Sequence, residues 1–417
     1  MFYAIFSLRC YITETEMNTG EKMKDYIKID NLKDCCGCGA CVNICPCGAI
    51  EMKENEMGFF YPEVDEEKCV GCGQCRKVCV FCEKSVGANG EPLVYAAVTK
   101  NKEVLSQSSS GGIFTELAEA VIEKGGAVLG AAWDEDFSLR HICVNDKSNL
   151  DKLRGSKYVQ SATGDTFKKA EELLKSGQYV CYSGTPCQIA GLKAFLKKGY
   201  DNLLTIDLIC HGVPSVKMLR DDLAYFAKKK KIDIKDIKFR DKKYGWGVKG
   251  SLNGATANVK YNENTSPYYF YFLGGEVYRE SCYNCRFPCE GRQGDITLGD
   301  YWGIRQELVS KMNGADIENG ISCVLVNSDK GKKWLSGIES RLLMCASDRK
   351  SVEKRNKQLT GASVPTPEHN RLVKMYKENG YDAFIYGFKK NYKKRAVGFV
   401  KSLIPKKIKR KLAQLKG

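Results

Sequence analysis

Two four-cysteine runs with one shared spacing constrain this chain more than any other feature. Cys35-x2-Cys38-x2-Cys41-x3-Cys45-Pro46 is followed by Cys69-x2-Cys72-x2-Cys75-x3-Cys79. Three closely spaced thiolates wrap three corners of one iron–sulfur cubane on a tight loop. The fourth corner comes from the other run, because the chain folds back over itself. The expected assignment is Cys35, Cys38, Cys41 and Cys79 on one [4Fe–4S] cluster, and Cys69, Cys72, Cys75 and Cys45 on the other. Gly37, Gly39, Ala40, Gly71 and Gly73 sit where backbone N–H groups must approach the sulfurs. Zinc sites also use C-x2-C pairs, but two complete runs speak for iron and sulfur. Val80 stands where the second run would ordinarily carry proline, which bears on chain direction after Cys79 more than on ligation. Cys36, Cys47 and Cys82 read as small buried or loop thiols.

This spacing is that of a bacterial-type ferredoxin, so residues 24–88 are expected to form a two-cluster α+β module. The 21 Cys in 417 residues do not signal a disulfide scaffold, which would be short and secreted. Met1 to Ile12 is apolar but lacks a basic start, a long apolar stretch and a small-residue cleavage site. Residues 1–23 therefore read as an extension before the ordered part. No stretch approaches the ~20 apolar residues of a membrane span. Reducing cytoplasm is the expected setting, where clustered cysteines serve metal or redox chemistry.

Beyond Gly90 the pattern changes to alternating strands and helices. Leu93–Thr99 reads as a strand, and Ile113, Phe114, Leu117, Ala118, Val121 and Ile122 form a helical stripe after a Ser/Gly loop. Ala127–Trp133, Tyr179–Tyr182 and Leu203–Ile209 are further strands, interleaved with helices over Thr166–Lys175, Gln188–Phe195 and Val216–Lys231. This alternation predicts an α/β core over residues 89–350 with a mainly parallel sheet. Loops at the carboxyl ends of such strands gather at one edge, where ligands bind. Ser109, Ser110, Gly111 and Gly112 lead into a helix N-terminus there and suit a dinucleotide pyrophosphate. Gly245-x-Gly247-x-x-Gly250 has no helix after it and reads as a turn.

A third run, Cys282-x2-Cys285-x3-Cys289, would bind a third cluster if a fourth thiolate came from elsewhere. Cys210 is the first candidate and Cys187 the second, because both lie in loops expected at the ligand edge. Charge is distributed just as unevenly. The formal net charge is +16, residues 387–417 hold twelve Lys/Arg and no Asp/Glu, and sixteen less twelve leaves +4 on the rest. Residues 351–417 are expected to be helical, with a basic tail from 387. Basic residues interleaved with Val397, Phe399, Leu403 and Ile404 suit an anionic membrane surface or a solvated helix. Nucleic acid is disfavoured, because no binding fold or stacking motif accompanies the charge.

Ser108-Ser109-Ser110-Gly111-Gly112, Arg154-Gly155-Ser156-Lys157-Tyr158, Gly184-Thr185-Pro186-Cys187, Cys210-His211-Gly212 and Asp295–Trp302 occur in this order. Together they resemble the coenzyme F-420 hydrogenase/dehydrogenase beta-subunit family, in members with an N-terminal two-cluster module. The likeness runs from about Asp34 to Asn327. It implies FAD in the core, exchanging electrons with iron–sulfur clusters. By position, Ser109, Ser110, Gly111, Gly112, Ser156, Lys157 and Tyr158 would contact FAD, and Gly184, Thr185, Pro186 and Cys187 would line the flavin or a nearby cluster. Lys157 would place a cation beside the pyrophosphate or the flavin's N1/C2 edge. His211 is a candidate proton donor and Asp300 a candidate flavin or substrate contact; for both a structural hydrogen-bonding role is the competing reading.

The function implied is an oxidoreductase that passes electrons between a ferredoxin-like donor and, through [4Fe–4S] clusters and FAD, a small organic acceptor. Related members reduce a deazaflavin coenzyme or a chlorophyll derivative, so the family does not fix the substrate. The alternative is a non-catalytic electron-transfer subunit of a larger redox complex.

Overall fold

The structure is a computed structural model that describes residues 24–82, 87, 90–255, 257–288, 291–315, 317–392 and 395–396. In the N-terminal module, β1 (Ile50–Glu54) and β2 (Phe60–Val64) form an antiparallel hairpin. Short helices Ala40–Ile44 and Gln74–Lys77 follow the two cysteine loops. Gly39 (φ 79°) and Gly73 (φ 66°) cap them in the left-handed region that a Cβ would disfavour.

The core is one eight-stranded sheet. Its strands are β3 (Leu93–Thr99), β4 (Ala127–Trp133), β5 (Leu139–Val144), β6 (Val180–Gly184) and β7 (Leu203–Leu208), then β11 (Ile296–Asp300), β12 (Ser322–Val326) and β13 (Leu342–Ser347). A separate meander of β8 (Ile234–Lys238), β9 (Gly250–Gly254) and β10 (Asn258–Tyr261) lies between β7 and β11 in sequence. The spatial order of the large sheet is β13-β3-β12-β11-β7-β6-β4-β5.

The sheet is mixed, which corrects the mainly parallel expectation. The ladders β4/β6, β6/β7 and β7/β11 are parallel, whereas β4/β5, β11/β12, β12/β3 and β3/β13 are antiparallel. The chain leaves β11 on an excursion and returns beside it as β12, pairing Asp300 with Ser322. β12 thereby occupies the place next to β11 and holds β3 away from the other parallel strands. It is buried at all five positions, as its continuous apolar run requires. The Gly245–Gly250 stretch is a turn region leading into β9, as expected.

Helix Pro186–Leu196 carries Pro186 at its start, where the missing N–H costs nothing. Gln188 Oε1 accepts from the Thr185 N–H at 2.9 Å and from its hydroxyl at 3.1 Å. Helix Ile113–Glu123 buries Ile113, Leu117, Ala118 and Val121 against the sheet, the stripe its spacing predicts. Helices Pro367–Asn379 and Asp382–Lys390 bury Leu372, Tyr376, Phe384 and Phe388 in an aromatic core with Tyr268, Tyr271 and Phe272. The tail expected from 387 thus begins inside a packed helix: Phe388 meets Phe270 at 5.7 Å, and Arg395 lies 3.6 Å over the Phe388 ring. Residues 1–23 and 397–417 lie outside the described residues, and among the described residues no helix is long and apolar enough to cross a membrane.

Candidate redox site

The two cysteine runs fold over one another as the spacing demands. Cys35 and Cys41 both feel the charges of Cys38 and Cys79, and burial pushes both thiols up. Cys45, Cys69, Cys72 and Cys75 line one cavity with Pro46, Ile50 and Val70. Backbone N–H groups donate to these sulfurs: Ile27 to Cys75 at 3.2 Å, Ala49 to Cys45 at 3.3 Å and Gly71 to Cys69 at 3.4 Å. Such donors stabilise thiolate, the form that ligates iron.

The first cysteine loop is docked on the core by hydrogen bonds. Gln160 Nε2 donates to Cys36 O at 3.0 Å, Thr163 Oγ1 to Cys38 O at 2.9 Å, and Asn43 Nδ2 to Gly164 O at 2.7 Å. Sequence reading gave no hint of this docking, because every partner is more than 100 residues away.

A third thiol group forms where that loop meets the core. The charges of Cys187, Cys210 and Cys285 all act on Cys282, and those of Cys187 and Cys285 act on Cys210. Both candidate fourth ligands therefore lie within electrostatic reach of the third run. Cys289, the last cysteine of the run, lies outside the described residues. Burial pushes Cys210 up to about 12. Cys187 is held down at about 7, first by a hydrogen bond with Cys36, then by Thr185, whose Oγ1 lies 3.1 Å from its sulfur, and by Arg279. Cys36, read from sequence as a spare thiol, thus bridges Cys38 of the first cluster group and Cys187 of the third.

The Ser/Gly loop and the Arg154–Tyr158 segment meet at the carboxyl edge of the sheet. Ser109 Oγ accepts from Ser156 N at 2.7 Å and lies 2.9 Å from Ser156 Oγ. Gly111 N donates to Ser322 Oγ at 2.9 Å, and Lys242 Nζ donates to Ser110 O at 2.8 Å. Gly112 (φ 84°) caps helix Ile113–Glu123. Lys157 Nζ donates to Arg154 O at 2.8 Å, and burial alone lowers its ammonium to about 7. The Tyr158 ring stacks on Phe272 at 4.6 Å.

This edge fits an anionic dinucleotide. The buried Ser110 Oγ, Arg154 Nε and His141 Nδ1 have no hydrogen-bond partner among the described residues. Such groups are costly when left unsatisfied, and each can bond a bound ligand. His141 escaped the sequence reading. It stacks on Tyr182 at 5.4 Å, approaches Ser183 O at 3.0 Å through Nε2, and is lowered by burial to about 4. It is neutral at physiological pH and lies within reach of the Lys157 charge. Ser183, Gly184, Thr185 and Pro186 run from β6 to Cys187, so one strand end connects this edge to the third thiol group.

Asp300 is held by the Arg240 fork, with Nη2 at 2.9 Å from Oδ1, and by Trp246 Nε1 at 2.7 Å. Trp246 stacks on Trp302 at 4.7 Å, and Arg240 lies 5.2 Å over the Trp302 ring. The carboxylate thus organises an aromatic wall. Arg240 and Trp246 lack a motif, so their roles were invisible in sequence. His211 is exposed on the β7 loop, where its carbonyl accepts from Ser363 Oγ.

Residues 34–81 match a 4Fe-4S dicluster domain. Residues 94–168 match the N-terminal part, and residues 177–350 the C-terminal part, of the coenzyme F420 hydrogenase/dehydrogenase beta subunit. No curated protein matches. Among solved structures, the chain is similar to one from a xenon-derivatised F420-reducing [NiFe] hydrogenase complex of Methanosarcina barkeri. That likeness has 15% identity and a TM-score of 0.43, covering 71% of this chain and 96% of that one. Carrying both beta-subunit regions and a 4Fe-4S dicluster domain, the chain belongs to the coenzyme F420 hydrogenase/dehydrogenase beta-subunit family of iron–sulfur oxidoreductases.

Proposed function

We propose that the chain is an iron–sulfur flavoprotein that passes electrons between a redox-protein partner, of which a ferredoxin is one example, and a small organic acceptor. The observation that carries this reading is the docking of the first ferredoxin-type loop on the core, where Cys36 touches both Cys38 and Cys187 and Cys187 follows the strand end that leads from the ligand edge, with Cys210, Cys282 and Cys285 in electrostatic reach. Cys35, Cys38, Cys41 and Cys79 would hold the inner N-terminal cluster, Cys45, Cys69, Cys72 and Cys75 the outer one, and the four core thiols a third.

FAD at the Ser109–Gly112 and Ser156–Tyr158 edge would exchange single electrons with clusters and hydride with an organic substrate. Ser109, Ser110 and the N-terminus of helix Ile113–Glu123 present donors to its phosphates. Arg154 and Lys157 supply positive charge there. Lys157 gains a proton when an anion settles beside it, because its ammonium is otherwise lowered by burial. Neutral His141 offers Nδ1 as a hydrogen-bonding group. Exposed His211 would exchange protons between a substrate and solvent, and Asp300, bonded to Arg240 and Trp246, would orient the wall against which that substrate rests.

The test is an anaerobic iron and flavin assay of the purified full chain, followed by turnover with reduced ferredoxin or viologen and candidate acceptors. About twelve iron and one FAD per chain are expected, since three cubanes carry four irons each. Iron near eight removes the third cluster, and absent flavin sinks the flavoprotein reading. Flavin that reduces while no small acceptor turns over without a partner protein selects the electron-transfer subunit instead.

A further inference from the structure

Arg279 is the largest fully buried side chain among the described residues, at 0% exposure. Its donors meet neutral oxygens: Nε donates to Cys35 O at 2.7 Å, Nη1 to Gln160 Oε1 at 3.2 Å and Nη2 to Phe60 O at 2.9 Å. The guanidinium lies 3.9 Å over the Tyr61 ring. Among the described residues no carboxylate pairs with it. The adjacent Glu280 points to His369, 3.5 Å away. A buried cation without a counter-charge is expensive, so the compensating anion must lie elsewhere.

Its sulfur contact identifies that anion. Nη2 approaches Cys35 Sγ at 3.6 Å. The backbone anchor is on the core, where Arg279 N donates to Val213 O at 2.9 Å and Arg279 O accepts from Cys282 N at 2.8 Å. Arg279 therefore grows out of the third thiol loop and reaches the first. Gly37 (φ 67°) leaves room for it, since a Cβ there would come within 3.2 Å of the guanidinium carbon. Among the described residues the outer group has no equivalent: its neighbour Arg76 is solvent-accessible and already paired with Asp25 at 2.7 Å. Arg286 adds a further positive charge near Cys79, on the inner side again.

We propose that the buried charge of Arg279 is balanced by the cluster that Cys35 helps to bind, and that it raises the reduction potential of that inner cluster above its outer twin. This rests on the ligand assignment proposed above. A fixed cation stabilises a cluster more after it gains an electron, and low-dielectric surroundings leave that preference unscreened. An electron entering at the outer cluster then moves inward, oxidising the outer cluster and reducing the inner one by the same electron. Arg279 is a positioning residue in this scheme, acting through the cluster and touching no substrate.

The experiment is an EPR-monitored reductive titration of the full chain loaded anaerobically with iron and sulfide, with iron counted in each sample. Arg279→Gln is expected to make one N-terminal cluster about tenfold harder to reduce, a drop of ~59 mV for one electron, while its twin and the iron content stay constant. Arg279→Lys should recover most of the drop, because it keeps the cation. Full iron with both potentials unmoved in Arg279→Gln overturns the proposal, as do equal shifts in the two variants. If Arg279→Gln loses iron, Arg279→Lys decides: retained iron at the wild-type potential supports the charge, and loss in both refutes it. Wild-type protein whose N-terminal module binds fewer than two clusters defeats the ligand assignment itself, which is a separate result.

Discussion

Gly191 sits in the middle of helix Pro186–Leu196, where glycine is ordinarily a liability. Replacing it with alanine should gain about 1 kcal/mol of helix propensity. The tertiary structure reverses that expectation. A Cβ at this position would lie 2.8 Å from Cys38 Sγ, 2.9 Å from Cys38 Cβ and 3.5 Å from Phe167 Cε2. Comfortable carbon contacts are ~3.5–4.0 Å, so the new methyl overlaps Cys38 by roughly 0.7 Å. Cys38 cannot retreat freely, because its carbonyl is bonded to Thr163 and, in the proposed assignment, its sulfur would be held by the inner cluster. Overpacking of this kind costs about 1–3 kcal/mol. Net of the propensity gain, Gly191→Ala should be destabilising by zero to about 2 kcal/mol, with the strain concentrated on one cluster ligand. Differential scanning calorimetry and iron analysis of the loaded protein should show a lower melting temperature and partial loss of the inner cluster's four irons. Gly337→Ala is the control, since a Cβ there meets nothing within 4 Å. It should be neutral or stabilising. If Gly191→Ala melts above wild type with full iron, the docking of the first cysteine loop on this helix is wrong.

Cys187→Ser should remove about four irons, by iron analysis of the loaded protein; full iron in that variant would take Cys187 out of the third cluster. Lys157, lowered to about 7 by burial, is mostly neutral at about pH 8 in the free protein and charged beside a bound anion. FAD binding at that pH should take up to about one proton, seen by calorimetry in buffers of different ionisation heat, and Lys157→Met should abolish the uptake. Without ligand the sign follows from the lowered folded pKa: the unfolded chain holds the proton up to about 10.4. Lys157 should therefore make stability rise with pH between about 7 and that value, a contribution that Lys157→Met removes from urea midpoints measured across the window. Truncation before residue 387 should lower the melting temperature, because it removes Phe388 and Arg395 from the aromatic core.

Local chemistry was legible in the chain itself. The four-cysteine runs, the Ser/Gly loop, Pro186 at a helix start and the strand and helix segments of the core are short-range patterns, set by ligand spacing, backbone freedom and side-chain period. Sequence therefore determined that two cubane-binding loops precede an α/β core with a ligand edge. Partner choice was a different matter. The insertion of β12 between β11 and β3 turned a mainly parallel expectation into a mixed sheet, and no local period encodes which distant strand fills a gap. Arg240, His141 and Arg279 carry no motif; their meaning comes from what they meet, respectively Asp300, the Lys157 edge and Cys35. The third thiol group shows the division most plainly. Sequence supplied Cys282, Cys285 and Cys289 as a run of three and ranked Cys210 and Cys187 as rivals for the fourth place. Tertiary structure brings both to that place, because the loops after β6 and β7 end at the same sheet edge, and burial there gathers thiols that the chain keeps about a hundred residues apart.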